Sequence, residues 1–296
     1  MVVGGEATEF LATWQLNRLR TIHAGRKDYR TGRQDVTVLS YYWGESACVD
    51  TQFYRVESAF RETWLHCGIM PSVIVTDRPT RQMELFVENF SNVSLQIEPA
   101  LVAGDTFSMS QDCNGKLADR FQTEYVMIVQ NDGFPLCRGL DRFLGKWDFI
   151  GAPYVRDKCL TRLIARMFNL WTCNGGFSIR THHICELATE YWKRKWHACQ
   201  DPSVTGEDLY YTLTLLKHEW KYNRNVTIAD NRSALKFSYD VIVPQPISSL
   251  PFGFHRAETF VDFVRRGWLP DYDDNCRRTL SCDLATKGFT ESCDIL

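Results

Sequence analysis

Residues 126–129, Val-Met-Ile-Val, form an apolar run that breaks off at Gln130-Asn131-Asp132-Gly133. An unbroken apolar stretch of this length, halted by turn-forming residues, reads as a strand buried on both faces of a parallel sheet. Such a sheet needs helices on both sides, and the first half of the chain supplies them. Helical patterning covers residues 7–22, followed by a polar, basic stretch over 23–34. Strands are expected at 36–40, ending in Tyr41-Tyr42, at 72–76, ending in Asp77-Arg78-Pro79, and at 93–97. Helices are expected at 53–67, 82–90 and 114–122. This alternation predicts an α/β fold with a mostly parallel sheet flanked by helices.

The position of Asp132 follows from that fold. Open α/β sheets bind ligands at the carboxyl ends of their strands, and Asp132 closes one. A hard oxygen ligand there, beside a glycine that lets backbone approach, suits a divalent cation that clamps phosphates. Asn-Asp-Gly is also an ordinary turn sequence, since Asn and Asp tolerate left-handed backbone and Gly prefers it. A helical turn near 140–144 and a second apolar strand, Phe149-Ile150 ending in Gly151-Ala152-Pro153, would place two strand ends beside one crevice.

Composition removes several classes. The 296 residues fit one large α/β domain, and a net charge of −2 does not advertise nucleic acid as a partner. No apolar run approaches the ~20 residues that span a bilayer. The N-terminal MVVGGEATEF lacks the basic region and long apolar core of a secretory signal. Eleven cysteines without Cys-x-x-Cys spacing read as mostly buried thiols of a cytoplasmic protein rather than a disulfide framework or zinc ribbon. Cys173, His182, His183 and Cys185 invite a zinc reading, but adjacent histidines diverge on a helix, and packing is the better account. Neither Gly-x-x-x-x-Gly-Lys nor Gly-x-Gly-x-x-Gly occurs, so the usual phosphate loops of kinases and dehydrogenases are missing.

Three further clusters carry chemistry. Asn174-Gly175-Gly176, in a Gly-rich turn before a short strand over 174–180, offers a backbone wall close to a ligand and an amide for hydroxyl groups. A plain tight turn would look the same. Gly206-Glu207-Asp208 opens a helix expected over 208–219; acidic residues favour a first helical turn, and one there can also serve as a general base. His255, within Pro251-Phe252-Gly253-Phe254-His255, reads equally as a structural residue and a metal ligand.

Taken in order, VQNDGF, DFIGAPY, CNGGFSIR, GEDLYY, LKFSYD and PFGFHR resemble an uncharacterised bacterial and eukaryotic family related to nucleotide-sugar glycosyltransferases of the GT-A fold. The likeness spans roughly residues 35–260. It implies a GT-A-like, Rossmann-like sheet with a smaller acceptor-side subregion and a nucleotide-sugar donor. It also implies a metal motif at Gln130, Asn131 and Asp132, a Gly-rich donor loop at Asn174, Gly175 and Gly176, an x-Glu-Asp motif at Glu207 and Asp208, and a metal-binding His255. The metal motif departs from the family pattern, keeping only its last carboxylate. Mn²⁺ or Mg²⁺ would then be held by Asp132, His255, the donor diphosphate and water. Topology adds Tyr41, Tyr42 and Asp77, at the first two strand ends, as donor contacts.

The implied activity is transfer of a sugar to an acceptor hydroxyl in glycan or polysaccharide biosynthesis, with Asp208 as base, Glu207 in support, and inversion at the anomeric carbon. A catalytically inactive glycan- or nucleotide-binding protein of the same fold is the alternative. The chain divides into a helix and basic linker (1–34), the GT-A-like domain (35–268) and a polar, loosely ordered tail (269–296). Residues 155–171 form a basic amphipathic pattern that packs on the core or touches a membrane carrying a lipid-linked acceptor.

Overall fold

A computed structural model describes residues 4–24, 28–42, 49–102, 105–153, 173–193, 207, 210–211, 226–240, 250–267 and 269. Its centre is a six-stranded sheet. Strands β1 (Val36–Tyr42), β2 (Ser72–Thr76), β3 (Val93–Ile97) and β4 (Tyr125–Ile128) run parallel, while β7 (Cys173–Thr181) lies antiparallel between β4 and β6 (Phe149–Pro153). The order is β3-β2-β1-β4-β7-β6. β1, β2 and β4 are buried along their whole lengths, as their continuous apolar patterns predict, whereas edge strand β3 is partly exposed. The chain moves outward from β1 to β3, then returns to set β4 on the other flank of β1. That reversal makes the boundary between β1 and β4 the topological switch point of the sheet, where α/β sheets bind ligands.

Helices cover the sheet because their apolar residues recur every three or four positions. In α2 (Val49–Cys67) the buried face is Phe53, Val56, Phe60, Trp64 and Cys67. α3 (Arg81–Asn89) starts on Thr80, whose hydroxyl accepts from Met83 N, and lays Phe86 flat on Trp64 with centroids 5.7 Å apart. Each fully buried aromatic ring of this kind contributes about 2–3 kcal/mol. On the opposite layer, α4 (Thr106–Lys116) begins well before the helix expected at 114–122. Its sequence, TFSMSQDCNGK, is too polar to advertise a helix, but Asp105 caps the amides of Phe107 and Ser108, and Met109 and Cys113 are buried one turn apart. The expected later part is a 3₁₀ turn, Leu117–Arg120.

Two other expectations change in detail. β6 is present, but β7 separates it from β4, so the two strand ends expected to adjoin are not neighbours. Asn174, Gly175 and Gly176 lie inside β7 rather than in a turn before it. β7 leads directly into α5 (His182–Tyr191), capped by Thr181. Residues 207, 210 and 211 are helical; the rest of 208–219, the amphipathic stretch 155–171 and all of the tail except Leu269 lie outside the described residues. No helix among the described residues is long and apolar enough to cross a membrane.

A small second sheet, β5 (Gly133–Pro135), β9 (Gly253–His255) and β8 (Ser238–Tyr239), is entered from α6 (Asn231–Phe237) and followed by α7 (Ala257–Arg265). α1 (Gly4–Thr21) packs on it: Ala7 and Leu11 are buried with Phe134, Phe254 and Phe260. Arg18, in the last turn of α1, is buried on Glu62 through bonds of 2.7 and 3.1 Å.

Candidate functional site

The pairing of β5 with β9 sets Gly133 opposite His255, residues distant in sequence. Asp132 occupies the turn just before Gly133, a turn closed by reciprocal backbone bonds between Gln130 and Gly133 at 3.0 and 3.1 Å. Turn and site are therefore the same object. His255 Nε2 lies 3.2 Å from Gln130 Oε1 and 3.7 Å from Asp132 Oδ1. From α1, the buried amide of Gln15 donates to the Asn131 carbonyl at 2.7 Å and fixes the turn from behind.

The Gly-rich segment closes the other side. Between β6 and β7 the register runs from Gly151↔Ser178 to Ala152↔Asn174, so residues 175–177 bulge out of the ladder. The bulge presses Gly176 against the imidazole: a Cβ there would lie 2.1 Å from His255 Nε2. At Gly133 a Cβ would meet His255 Cδ2 at 2.9 Å. Both glycines are thus required by close approach to one ring. Asn174 Oδ1 accepts from Gly176 N at 2.8 Å, and Ser178 Oγ donates to Gly175 O at 2.9 Å, which hold the bulge in shape.

Sequence reasoning missed two members of the cluster. The Asp240 side chain is fully buried; its Oδ1 accepts from His255 Nδ1 at 2.9 Å and from Arg256 Nε at 2.8 Å, and its Oδ2 from Asn174 Nδ2 at 3.2 Å. Arg256 has φ +74°, the one positive φ outside glycine among the described residues. An acidic residue closing the short aromatic strand of LKFSYD, and a cation directly after the histidine in PFGFHR, were the available signals.

The donor set fits a divalent cation. Asp132 offers a hard oxygen and His255 a ring nitrogen, and two ligands ~2.1 Å from one ion lie at most ~4.2 Å apart, which admits the observed 3.7 Å. Among the described residues no group of three His, Cys, Asp or Glu side chains is placed to hold a metal. Among the described His, Cys, Asp and Glu side chains, a cation here would find two ligands, Asp132 and His255.

The remaining sequence candidates stand apart. Tyr42 is buried against Phe53 on one face of the sheet. Tyr41 is buried on the other, donating to Asp112 at 2.9 Å; burial, with Cys113 and Asp112 nearby, pushes its phenol well above the ordinary value and keeps it protonated. Asp77, at the end of β2, has a buried Oδ1 with no hydrogen-bond partner and an Oδ2 3.6 Å from Arg78 Nε. Glu207 is half-buried beside α4, accepting from Ser110 Oγ at 3.1 Å; Asp208 lies outside the described residues.

A carboxylate, an imidazole and a glycine bulge thus converge beside the switch point of a helix-covered, mostly parallel sheet, the place where sheets of this kind bind ligands. The chain belongs to the family described as protein of unknown function (DUF5672), matched over residues 108–255, half of its length. The matched segment contains Gln130, Asp132, Asn174, Gly176, Asp240 and His255. No curated protein matches the chain in sequence. Among solved structures, it is similar to a mannosyltransferase from Pyrobaculum calidifontis in complex with GDP-Man and Mn²⁺. That similarity has 12% identity and a TM-score of 0.40, covering 77% of this chain and 67% of the other, too distant to transfer a site.

Proposed function

We propose that this protein is a glycosyltransferase that moves a sugar from a nucleotide-diphosphate donor to an acceptor hydroxyl. One observation carries the reading: Asp132, His255, Asn174 and Gly176, scattered through the sequence, converge at the ends of β4 and β7. Asp132 and His255 would hold Mn²⁺ or Mg²⁺, which supplies charge neutralisation for a leaving diphosphate. Arg256, whose side chain is half-exposed, would add a guanidinium for the same phosphates. Asn174 and the Gly175-Gly176 backbone would contour the sugar pocket. The orphaned Oδ1 of Asp77 suits a hydroxyl or base N–H of the nucleoside, with Tyr41 and Tyr42 shaping the adjoining end of β1.

In the transfer, the acceptor oxygen forms its bond to the anomeric carbon as the bond from that carbon to the phosphate oxygen breaks. The attack is in line, opposite the diphosphate that departs with the electron pair, which gives inversion, and Asp208 takes the acceptor proton. Glu207 would orient the acceptor or hold Asp208. The acceptor is a glycan or lipid-linked hydroxyl, in a cytoplasmic setting that admits peripheral membrane contact through 155–171.

A donor screen tests the reading. UDP-, GDP-, CMP- and dTDP-sugars, with and without Mn²⁺, are followed by thermal stability and slow donor hydrolysis. Metal-dependent stabilisation by one nucleotide class, with hydrolysis, is expected. Asp208→Asn should abolish turnover and leave donor binding near normal; retained turnover removes Asp208 as base. The single carboxylate of Gln-Asn-Asp favours a second reading, a binding protein that has lost catalysis, and donor binding without hydrolysis would establish it.

A further inference from the structure

Asp240 lies at the junction of the Gly-rich segment, through Asn174, with the C-terminal histidine and the arginine that follows it. We propose that Asp240 is a positioning residue that fixes the His255 ring with its proton on Nδ1, leaving the Nε2 lone pair directed at Gln130 and Asp132. What Nε2 then binds, a donor-side cation, rests on the glycosyltransferase reading; the orientation of the ring does not.

The argument is one of donors and acceptors. An ionised carboxylate only accepts, and a neutral imidazole has a single N–H. With Asp240 Oδ1 at 2.9 Å, that N–H belongs on Nδ1, so Nε2 becomes the acceptor. The two ends of the Gln130 amide interchange by a half-turn, so its NH₂ can face Nε2 at the observed 3.2 Å. A fully buried carboxylate needs a countercharge, and Arg256 provides it. To do so its backbone takes φ +74°, a conformation that costs an L residue roughly 1 kcal/mol or more. The strained backbone brings the guanidinium back onto the oxygen already used by the neighbouring His255. Asn174 then locks the second oxygen, and through its own Oδ1 the amide of Gly176, which packs so close to the ring that a Cβ there would lie 2.1 Å from Nε2. One carboxylate therefore sets the ring's tautomer, its rotation and the wall beside it. Carboxylate partners of this kind orient metal-binding histidines, and losing one costs about 10- to 100-fold in metal affinity.

The test uses the whole chain labelled with ¹⁵N-histidine, with the His255 signals assigned by their loss in His255→Ala. Two-bond ¹⁵N–¹H spectra should show Nε2 unprotonated in the wild type. Asp240→Asn should mix the tautomers and weaken Mn²⁺ binding, read by electron paramagnetic resonance without donor, about 10- to 100-fold, with Asp240→Glu restoring part of both. A protonated Nε2 in the wild type overturns the proposal whether or not any variant folds. So does an Asp240→Asn protein that keeps both the wild-type tautomer and the wild-type Mn²⁺ affinity. If the tautomer depends on Asp240 while the wild type binds neither Mn²⁺ nor donor, the positioning role stands and the glycosyltransferase reading fails.

Discussion

Glu62 and Asp240 are both buried carboxylates that hold a histidine and an arginine, yet the two clusters end differently. Glu62 binds Arg18 and His23, with His66 at 3.6 Å, and the other nitrogen of His23 meets the Tyr29 hydroxyl at 3.0 Å. Both ring nitrogens of His23 are engaged inside the protein, and the cluster fastens α1 to α2. Asp240 engages only Nδ1 of His255, while Nε2 faces Gln130 and Asp132 on a partly exposed turn. The first cluster uses relaxed backbone; the second bears the strained φ of Arg256 and two glycines pressed on the ring. The same side-chain types make a fastener where both ring nitrogens meet buried partners, and a candidate site where one meets the side chains of a partly exposed turn.

That contrast can be broken by mutation. Glu62→Ala should have the largest effect, a loss of about 3–5 kcal/mol of stability from leaving buried Arg18 and His23 without their anion. It should lower the melting temperature while leaving Mn²⁺ affinity intact below the transition; lost affinity in a fully folded Glu62→Ala protein would erase the distinction. Acid should act on the same side. Burial disfavours the charge on Glu62, but hydrogen bonds from His23, His66 and Arg18 outweigh it and hold the carboxyl far below its ordinary range. Burial also opposes charge on Glu98, yet Lys116 and Arg120, each 2.6 Å away, hold it at about 2. Folded values below the unfolded value of 4.5 mean stability that is whole above that pH and lost as pH falls toward 2. Glu98 contributes up to about 3 kcal/mol to that loss. Thermal melts at stepped pH should show the decline, and Glu98→Gln should flatten it.

Smaller changes probe the open side. Gly176→Ala places a methyl 2.1 Å from Nε2, so the ring must leave its position; donor hydrolysis should fall about 100-fold with only a modest change in melting temperature. Unaltered hydrolysis would show that the ring's position is irrelevant to the site. Gln130→Asp should have the least effect, tightening Mn²⁺ about tenfold by adding a second carboxylate, measurable by titration. Weaker binding in that variant would mean that the Gln130 amide, not a missing acid, is what the ring requires.

Much of this was legible from the chain. Strands β1, β2 and β4 announce themselves because burial on both faces demands mainly apolar sequence, edge strand β3 by its alternating Val93, Leu95 and Ile97, and Asp132 follows from where the apolar run of β4 stops. α4 did not, because it rests on the Asp105 cap and on a buried face that is mostly polar, with Met109 and Cys113 its buried apolar side chains. The glycines at 175 and 176 were visible as a place of close approach, but not as a bulge within β7, since a bulge is defined by the partner strand. Asp240 was part of a recognisable motif, yet one carboxylate in a sequence gives no hint of which donors will surround it.

The sequence by itself determined the layered α/β architecture and the residue types of the site, because periodicity, capping and turn chemistry are local properties. Only the tertiary structure decided that β9 returns to pair with β5, which puts His255 beside Asp132, and that the side chain of Asp240 is enclosed by Asn174, His255 and Arg256. Those contacts join residues far apart along the chain. They form because burying the apolar faces of β5, β9 and α1 together outweighs the entropy of closing so long a loop, a balance that no local stretch of sequence contains.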